Sequence, residues 1–176
     1  ASYQEFMQVY EYIKAFQETE KDFYVWDKII FSNTIKDAET LRRIRCYKPL
    51  VTYDNADEII KIKEHCYTAG LVLRLKVPDI GSQVEMGSKF GAEPADAAAL
   101  IDQAFEAGLV VEGLSFHVGS QCVCFDNYTS ALAIAAEVFH AARTKGYPLK
   151  IVDIGGGFPA PYNPEVPAFE DLARIL

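Results

Sequence analysis

Three consecutive glycines follow an apolar segment near the end of the chain. The stretch IVDIGGGFPAPY, residues 151–162, places Gly155, Gly156 and Gly157 directly after four residues of strand-like composition. Glycine loses more conformational freedom on folding than any other residue, so three in a row indicate a close approach to the backbone. Without side chains, successive N–H groups can form a concave nest that binds an anion, most often phosphate. A plain turn with positive φ is the alternative, but it usually needs one glycine.

This glycine run differs from the two common nucleotide-binding signatures. The G-x-G-x-x-G spacing of a dinucleotide-binding turn is absent, and no Gly-Lys-Ser/Thr of a P-loop follows the glycines. The sequence therefore predicts a phosphate cradle that belongs to another class of site.

A second candidate site is the stretch SFHVGSQ. His117 is followed at once by Gly119 and Ser120. An imidazole at this place can lie flat against a planar ligand or transfer protons near neutral pH, and Ser120 can donate a hydroxyl to a phosphate. His65 and His140 lie inside helical patterns without an accompanying motif, which indicates surface or packing roles.

Arg74 lies within the apolar segment LVLRL. A buried cation needs an anionic partner, because removing a charge from water is costly. Two partners fit: a carboxylate in the interior of the fold, or an anionic ligand at the end of the strand. The sequence leaves both open.

Five apolar segments of strand length position these residues. They are nearly continuous in Val, Ile, Leu and Phe, as strands buried on both faces of a parallel sheet are. The segments are KIIFS (28–32), PLVTY (49–53), LVLRL (71–75), GLSFHV (113–118) and LKIVDI (149–154). Helical patterns separate them, which predicts right-handed β-α crossover units in an α/β fold. The candidates are an open doubly wound sheet or part of a (β/α)8 barrel, and we expect part of the barrel.

The helical patterns carry recognisable start and stop signals. The predicted starts and stops are Asn55 to Gly70, Pro94 to Gly108, and Asp126 or Asn127 to Gly146, with further helical patterns over 35–46 and at the opening of the chain. One long connection without helical pattern, residues 76–94, leaves the third strand, and a loop of that size is usually functional or mobile.

Polar residues and glycines collect at the predicted carboxyl ends of all five strands. Ligands bind at this edge in parallel β/α folds. The residues are Ser32, Asn33, Tyr53, Asp54, Arg74, His117, Gly119, Ser120, Gln121 and Gly155–Gly157. The sequence therefore predicts one site built by several strands.

Composition narrows the classes of partner. The formal net charge is −8 over 176 residues, and no basic stripe occurs, which argues against nucleic acid. Cys122 and Cys124 are too few for a zinc site, so we expect no metal and reduced, structural thiols. No apolar run approaches a bilayer span and the start is not a signal peptide, which predicts no membrane partner and a cytoplasmic location.

The stretches GLSFHVGSQ and VDIGGGFP, preceded by LVLRL and MGSKFGA, resemble a known family. They are similar to the pyridoxal 5′-phosphate (PLP)-dependent decarboxylases of the alanine racemase fold, which include the ornithine, lysine, diaminopimelate and arginine decarboxylases. The resemblance covers essentially the whole chain in order and spacing, and the motifs are most like the ornithine and lysine branch. The chain has no initial Met and begins and ends inside helical patterns, so we expect residues 1–176 to be a partial PLP-binding barrel domain.

The resemblance implies a role for each candidate residue. His117 matches the histidine that stacks on the pyridine ring, and Arg74 matches the arginine near that ring. Ser120 and Gly155–Gly157 match the groups that receive the cofactor phosphate. The lysine that the family links to the cofactor would lie upstream of Ala1, and the acid–base residues would lie beyond Leu176, so this chain alone is expected to be inactive.

The expected function is that of the longer protein. The resemblance implies PLP-dependent decarboxylation of ornithine or lysine to a diamine of polyamine biosynthesis, by a homodimer that takes a small amino acid as substrate. Diaminopimelate or arginine decarboxylation is an alternative. A non-catalytic, decarboxylase-like regulatory protein and a binding module for another phosphometabolite also stay open.

Overall fold

A computed structural model describes residues 2–16, 28–162 and 166–175. Ala1 and Leu176, at which we expect the chain to be truncated, lie outside the described residues. Helices and strands alternate along the chain. The helices are α1 (Tyr3–Phe16), α2 (Ala38–Ile44), α3 (Ala56–His65), α4 (Ala97–Glu106), α5 (Asp126–Thr144) and α6 (Phe169–Ile175). The strands are β1 (Ile30–Phe31), β2 (Leu50–Tyr53), β3 (Gly70–Arg74), β4 (Val110–Ser115) and β5 (Ile151–Asp153).

The five strands form one parallel sheet in sequential order, β1-β2-β3-β4-β5. A doubly wound sheet reverses its strand order at a switch point, and no reversal occurs among these strands. Successive helices α2, α3, α4 and α5 also contact one another, as they do in the outer layer of a barrel. The predicted fold class, part of a (β/α)8 barrel with about five parallel strands, is therefore confirmed.

Side-chain caps and glycines set several helix ends where the sequence predicts them. The side chain of Asn55 accepts a hydrogen bond from the Glu58 N–H at 2.9 Å at the start of α3. Asp37 caps α2 in the same way, accepting from the Thr40 N–H at 2.8 Å. Gly108 and Gly146 follow α4 and α5 with φ values of 77° and 89°, which only glycine adopts freely.

The predicted end of α3 at Gly70 is wrong. The helix ends at His65, and Gly70 is the first residue of β3. A side chain does not fit there, because a Cβ on Gly70 would lie 2.7 Å from Cδ2 of Leu50 and 2.8 Å from Cγ of Glu112. The glycine therefore serves the close packing of neighbouring strands rather than the helix cap.

The core lies between the sheet and the helical layer. Fully buried strand residues such as Val51, Leu71 and Leu114 pack in one cluster with Leu41 and Ile62 of the helices. All four cysteine thiols are free. Within the described ranges, we find no helix with the length and apolar character needed to cross a bilayer.

Candidate cofactor site

A cavity of about 260 Å³ opens at the carboxyl ends of the strands. All five strands or the residues just after them contribute to its wall. The lining residues are Ser32, Thr52, Arg74, Ser115, Phe116, His117, Asp153, Gly155 and Gly156. The structure thus brings His117, Arg74 and two of the three predicted glycines to one cavity.

The structure favours glycine at these three positions for different reasons. Gly155 and Gly157 have φ values of 69° and 93°, and a Cβ on either would lie within 2.1 Å of a backbone oxygen, that of Phe116 or Gly119. Gly156 has no positive φ, and its Cβ would make an ordinary 3.5 Å contact with Nε2 of His117. Two glycines are therefore required by the backbone, and the middle one leaves space at the cavity wall.

The N–H groups of this glycine loop are only partly used by the protein. The Gly155 N–H donates to Oδ1 of Asp153 at 2.8 Å. Among the residues described, neither the Gly156 nor the Gly157 N–H has a protein acceptor. Backbone donors that lack partners are uncommon unless a ligand or water receives them. Two of the three predicted donors are therefore available to an anion.

His117 is half-buried beside the glycine loop. Its Nδ1 accepts the Gly119 N–H at 3.0 Å, so the neutral ring carries its proton on Nε2, the atom nearest Gly156. Burial, and then the positive charge of Arg74, lower the pKa of His117, while the charge of Asp153 acts in the opposite direction. The ring is therefore a flat, neutral aromatic surface near neutral pH.

The guanidinium of Arg74 lies over the Phe90 ring, 5.1 Å from its centroid. Burial lowers the pKa of Arg74, and the carboxylates of Asp54 and Asp153 oppose this shift. Within the described part of the chain, no carboxylate lies within ion-pair distance of Arg74. Asp54 and Asp153 thus act on Arg74 through their charge without forming a direct ion pair with it. An anionic ligand therefore also fits as the partner of Arg74.

Ser120 lies in the loop after β4 and joins that loop to the long connection. Its N–H donates to Val84 O at 3.0 Å, and its carbonyl accepts the Gln83 N–H at 2.9 Å. In the residues that the structure describes, no protein group bonds the Ser120 hydroxyl. The long connection is thus tied to this rim by an antiparallel bridge.

Two residues predicted at the rim have other surroundings. Tyr53 is fully buried and its hydroxyl donates to Leu100 O at 3.5 Å, because the alternation of β2 turns this side chain towards α4. The prediction that Tyr53 belongs to the site is wrong. Asp54 accepts the Gly91 N–H at 2.9 Å and so holds the end of the long connection.

Lys36 is a buried lysine near the same edge of the sheet. Its Nζ donates to the carbonyls of Asn33, Thr34 and Thr52 at 2.8, 3.0 and 2.5 Å. It also forms an ion pair with Glu58 at 3.2 Å, and its side chain has no exposed surface. Burial lowers the pKa of Lys36, but every proton of the ammonium has an acceptor, so the group is closed to a ligand.

Sequence interpretation missed the aromatic Phe116 and three polar residues of the cavity wall: Thr52, Ser115 and Asp153. Ser115 is 5% exposed, and its Oγ is a buried polar atom without a partner among the described residues. Ser115 is in register with both Arg74 and Asp153 on the neighbouring strands. A signal for the polar residues was available in the sequence, because each of four successive apolar segments has a polar residue at or near its end. Side chains alternate between the two faces of a strand, so such residues can all point to the same face of the sheet.

A family model matches nearly the whole chain. Residues 2–176 match the model described as "Pyridoxal-dependent decarboxylase, pyridoxal binding domain". The chain belongs to this family. The expected resemblance and its cofactor class are therefore confirmed.

Relatives of this decarboxylase family member include enzymes and an inhibitor. The chain is 38% identical over 148 residues to a probable ornithine decarboxylase of Dictyostelium discoideum, which covers 84% of this chain and 32% of the relative. It is 32% identical over 151 residues to antizyme inhibitor 2 of Xenopus laevis, covering 85% of this chain and 33% of the relative. The chain thus spans about a third of the length of these curated relatives.

A solved structure agrees with the fold. A crystal structure of lysine decarboxylase from Selenomonas ruminantium superposes with a TM-score of 0.79 at 31% identity, over 98% of this chain and 43% of that chain. The predicted likeness to the ornithine and lysine branch is confirmed by these relatives.

The cavity fits the ring and phosphate of the family's cofactor. The Gly156 and Gly157 N–H groups suit a phosphate, the His117 face suits an aromatic ring, and the Ser115 hydroxyl is a buried group that needs a partner. No lysine of the described residues lines the cavity. These residues can therefore hold the cofactor without a covalent link.

Proposed function

We propose that the whole protein is a PLP-dependent decarboxylase of a basic amino acid, ornithine or lysine. The observation that carries this proposal is the pair of unpaired N–H groups at Gly156 and Gly157 beside the His117 ring, in a chain of the pyridoxal-dependent decarboxylase family. Relatives named ornithine decarboxylase and lysine decarboxylase support the choice of substrates. Polyamine biosynthesis is the pathway that these substrates imply.

The residues of this chain bind and orient the cofactor. Gly155–Gly157 and Ser120 receive its phosphate, since two loop N–H groups and the Ser120 hydroxyl lack protein partners in the described structure. His117 stacks on the ring through its neutral face, because the lowered pKa leaves it without charge near neutral pH. Arg74 lines the same cavity and would lie near the ring.

The bound cofactor supplies an electron sink for the electrons that remain when carbon dioxide leaves. The rigid wall of the cavity keeps the ring in one orientation relative to the bond that breaks. The apolar side chain of Phe116 in the cavity wall would help to exclude water from the bound ring.

We also propose a domain assignment, an oligomeric state and a location for the whole protein. Residues 1–176 form part of the PLP-binding barrel of a longer protein, and that protein is a homodimer located in the cytoplasm. Size-exclusion chromatography with light scattering of the full gene product gives its oligomeric state, and cell fractionation gives its location.

A second candidate function has a specific observation behind it. The similarity to antizyme inhibitor 2 favours a decarboxylase-like protein whose role is regulatory rather than catalytic. In that case the protein would keep the cavity of the family but would not convert a substrate.

One assay separates the two functions. The full gene product, supplied with PLP, is incubated with ornithine, lysine, arginine and diaminopimelate, and released carbon dioxide is measured. Release from ornithine or lysine supports the proposal, and release from arginine or diaminopimelate alone moves it to another branch. If a correctly folded protein releases carbon dioxide from none of the four amino acids, the decarboxylase proposal fails and the regulatory function is favoured. The 176-residue chain alone serves as the control and is expected to release none.

A further inference from the structure

Gln121 adopts a backbone conformation that favours glycine. Its φ is 53°, and within the described residues only Lys48, with φ 49°, is another non-glycine residue of this kind. In this left-handed region the Cβ of an L-residue crowds its own carbonyl, which disfavours glutamine. Such strain persists only where the surroundings hold the residue in place. The position therefore needs something that glycine cannot supply.

The Gln121 carboxamide supplies a two-point contact with the segment after β5. Its Nε2 donates to Ala160 O at 3.1 Å, and its Oε1 accepts the Ala160 N–H at 2.8 Å. The side chain thus pairs with Ala160 as the backbone of a neighbouring strand would. Only glutamine and asparagine carry a side-chain amide donor and acceptor, and asparagine is one methylene shorter.

This contact is one of several that join the histidine loop (residues 116–122) to the glycine loop (residues 155–160). The Cys122 N–H donates to Gly157 O at 2.9 Å. The position of a Cβ on Gly157 would be 1.9 Å from Gly119 O, so the two backbones touch. The unpaired N–H groups of Gly156 and Gly157 lie between the Asp153 contact at the start of the glycine loop and the Ala160 contact at its end.

We propose that Gln121 is a positioning residue that fastens the glycine loop to the histidine loop. It thereby holds the Gly156 and Gly157 N–H groups beside His117 before an anion binds. This inference rests on the proposed phosphate role of the glycine loop. Donors that are already in place lower the ordering cost of binding, so losing the contact weakens phosphate affinity.

Two substitutions separate the side-chain contact from the backbone strain. Gln121→Gly removes the contact and relieves the strain, whereas Gln121→Ala removes the contact and keeps the strain. Lys48→Gly relieves the same kind of strain away from the site and is the matched control. Thermal unfolding of each variant establishes that it is folded before binding is compared.

The test follows the ¹⁵N signals of Gly156 and Gly157 during titration with inorganic phosphate. We expect about tenfold weaker phosphate binding in both Gln121 variants, since two hydrogen bonds are lost, and wild-type binding in Lys48→Gly. Wild-type binding in Gln121→Gly together with weaker binding in Gln121→Ala would overturn the proposal, because the position would then need only the backbone conformation.

A ligand-free measurement distinguishes this inference from the proposed function. In the wild type we expect hydrogen-exchange protection of the Ala160 N–H and a nuclear Overhauser effect between the His117 Cε1 proton and Gly157 Hα. Both should decrease in Gln121→Gly. If the wild type binds no phosphate but these signals respond, the phosphate role fails and the positioning role stands. If phosphate binds and the signals do not respond, the positioning role fails alone.

Discussion

Two regions at the same edge of the sheet each surround a basic side chain, but they differ in whether polar groups are left without protein partners. After β1, the Lys36 ammonium is enclosed by three carbonyls and Glu58, and no exposed surface remains. After β4, His117 is half-buried beside two glycine N–H groups that lack protein acceptors in the described structure. Burial lowers the pKa of both groups, yet only the second region leaves donors for a ligand.

The difference teaches where to look for function in a buried polar cluster. A lowered pKa by itself does not separate the two regions, because burial lowers the pKa of both basic groups. The use of the N–H groups does separate them, because every proton of the Lys36 ammonium has an acceptor, whereas the Gly156 and Gly157 N–H groups beside His117 have none in the described structure. The Lys36 region stabilises the fold, and the His117 region has polar capacity that a ligand can satisfy.

Replacing Lys36 should give the largest effect on stability. Lys36→Met leaves three carbonyls and the buried Glu58 carboxylate without this partner, although Lys61 still pairs with Glu58. We expect a loss of about 3 kcal/mol or more in the free energy of unfolding, measured with urea. Lys63→Met, which removes an exposed lysine of α3, the helix that carries Glu58, should change it by less than about 0.5 kcal/mol.

If Lys36→Met is too unstable to purify, Glu58→Gln provides a milder change at the same pair and should still lose stability. A loss below about 1 kcal/mol in both variants would contradict a structural role for the pair.

The glycine loop provides a sharper comparison inside the functional region. Gly157→Ala places a Cβ against Gly119 O at a φ of 93°, so we expect about 2 kcal/mol or more of destabilisation. Gly156→Ala has no such conflict and should change stability by less than about 1 kcal/mol. Its methyl group would point at His117 Nε2 and the cavity, so phosphate binding should weaken in this variant.

Thermal unfolding and phosphate titration of the two alanine variants check this comparison side by side. Equal destabilisation by Gly156→Ala and Gly157→Ala would show that all three glycines serve the backbone alone.

The smallest expected effects concern the titration of His117. Arg74→Gln removes a positive charge and should raise the pKa of His117, whereas Asp153→Asn removes a negative charge and should lower it. Titration of the His117 Cε1 proton by NMR measures both changes. A shift of the same sign in the two variants would contradict the assigned electrostatics.

The pKa of His117 also gives a pH dependence of stability. The folded-state pKa lies below the unfolded-state value of about 6.5, so the unfolded chain takes up the proton first as the pH falls. The favourable contribution of neutral His117 is therefore present above about pH 6.5 and is lost as the pH falls through the folded-state pKa. His117→Gln should lose less stability than the wild type over this acidic range.

Particular residues show how far the sequence carried the prediction of the site. His117, Arg74, Gly155 and Gly156 line the cavity, as their positions at or just after the ends of apolar segments predicted. Tyr53 was wrongly assigned because a one-residue shift along a strand turns a side chain to the other face. Ser115 and Asp153 were missed because a polar residue within an apolar segment does not reveal its strand neighbours.

The sequence by itself determined the order of strands and helices, the caps at Asn55, Gly108 and Gly146, and the family through the SFHVGSQ and GGGFP motifs. These are local properties of hydrophobic period, capping chemistry and short motifs. Only the tertiary structure decided which polar groups are satisfied inside the protein and which are left for a ligand. The partners of Lys36, Gly157 and Gln121 lie up to about 40 residues away in the chain, so they meet only when the strands align in register and the loops after them come together.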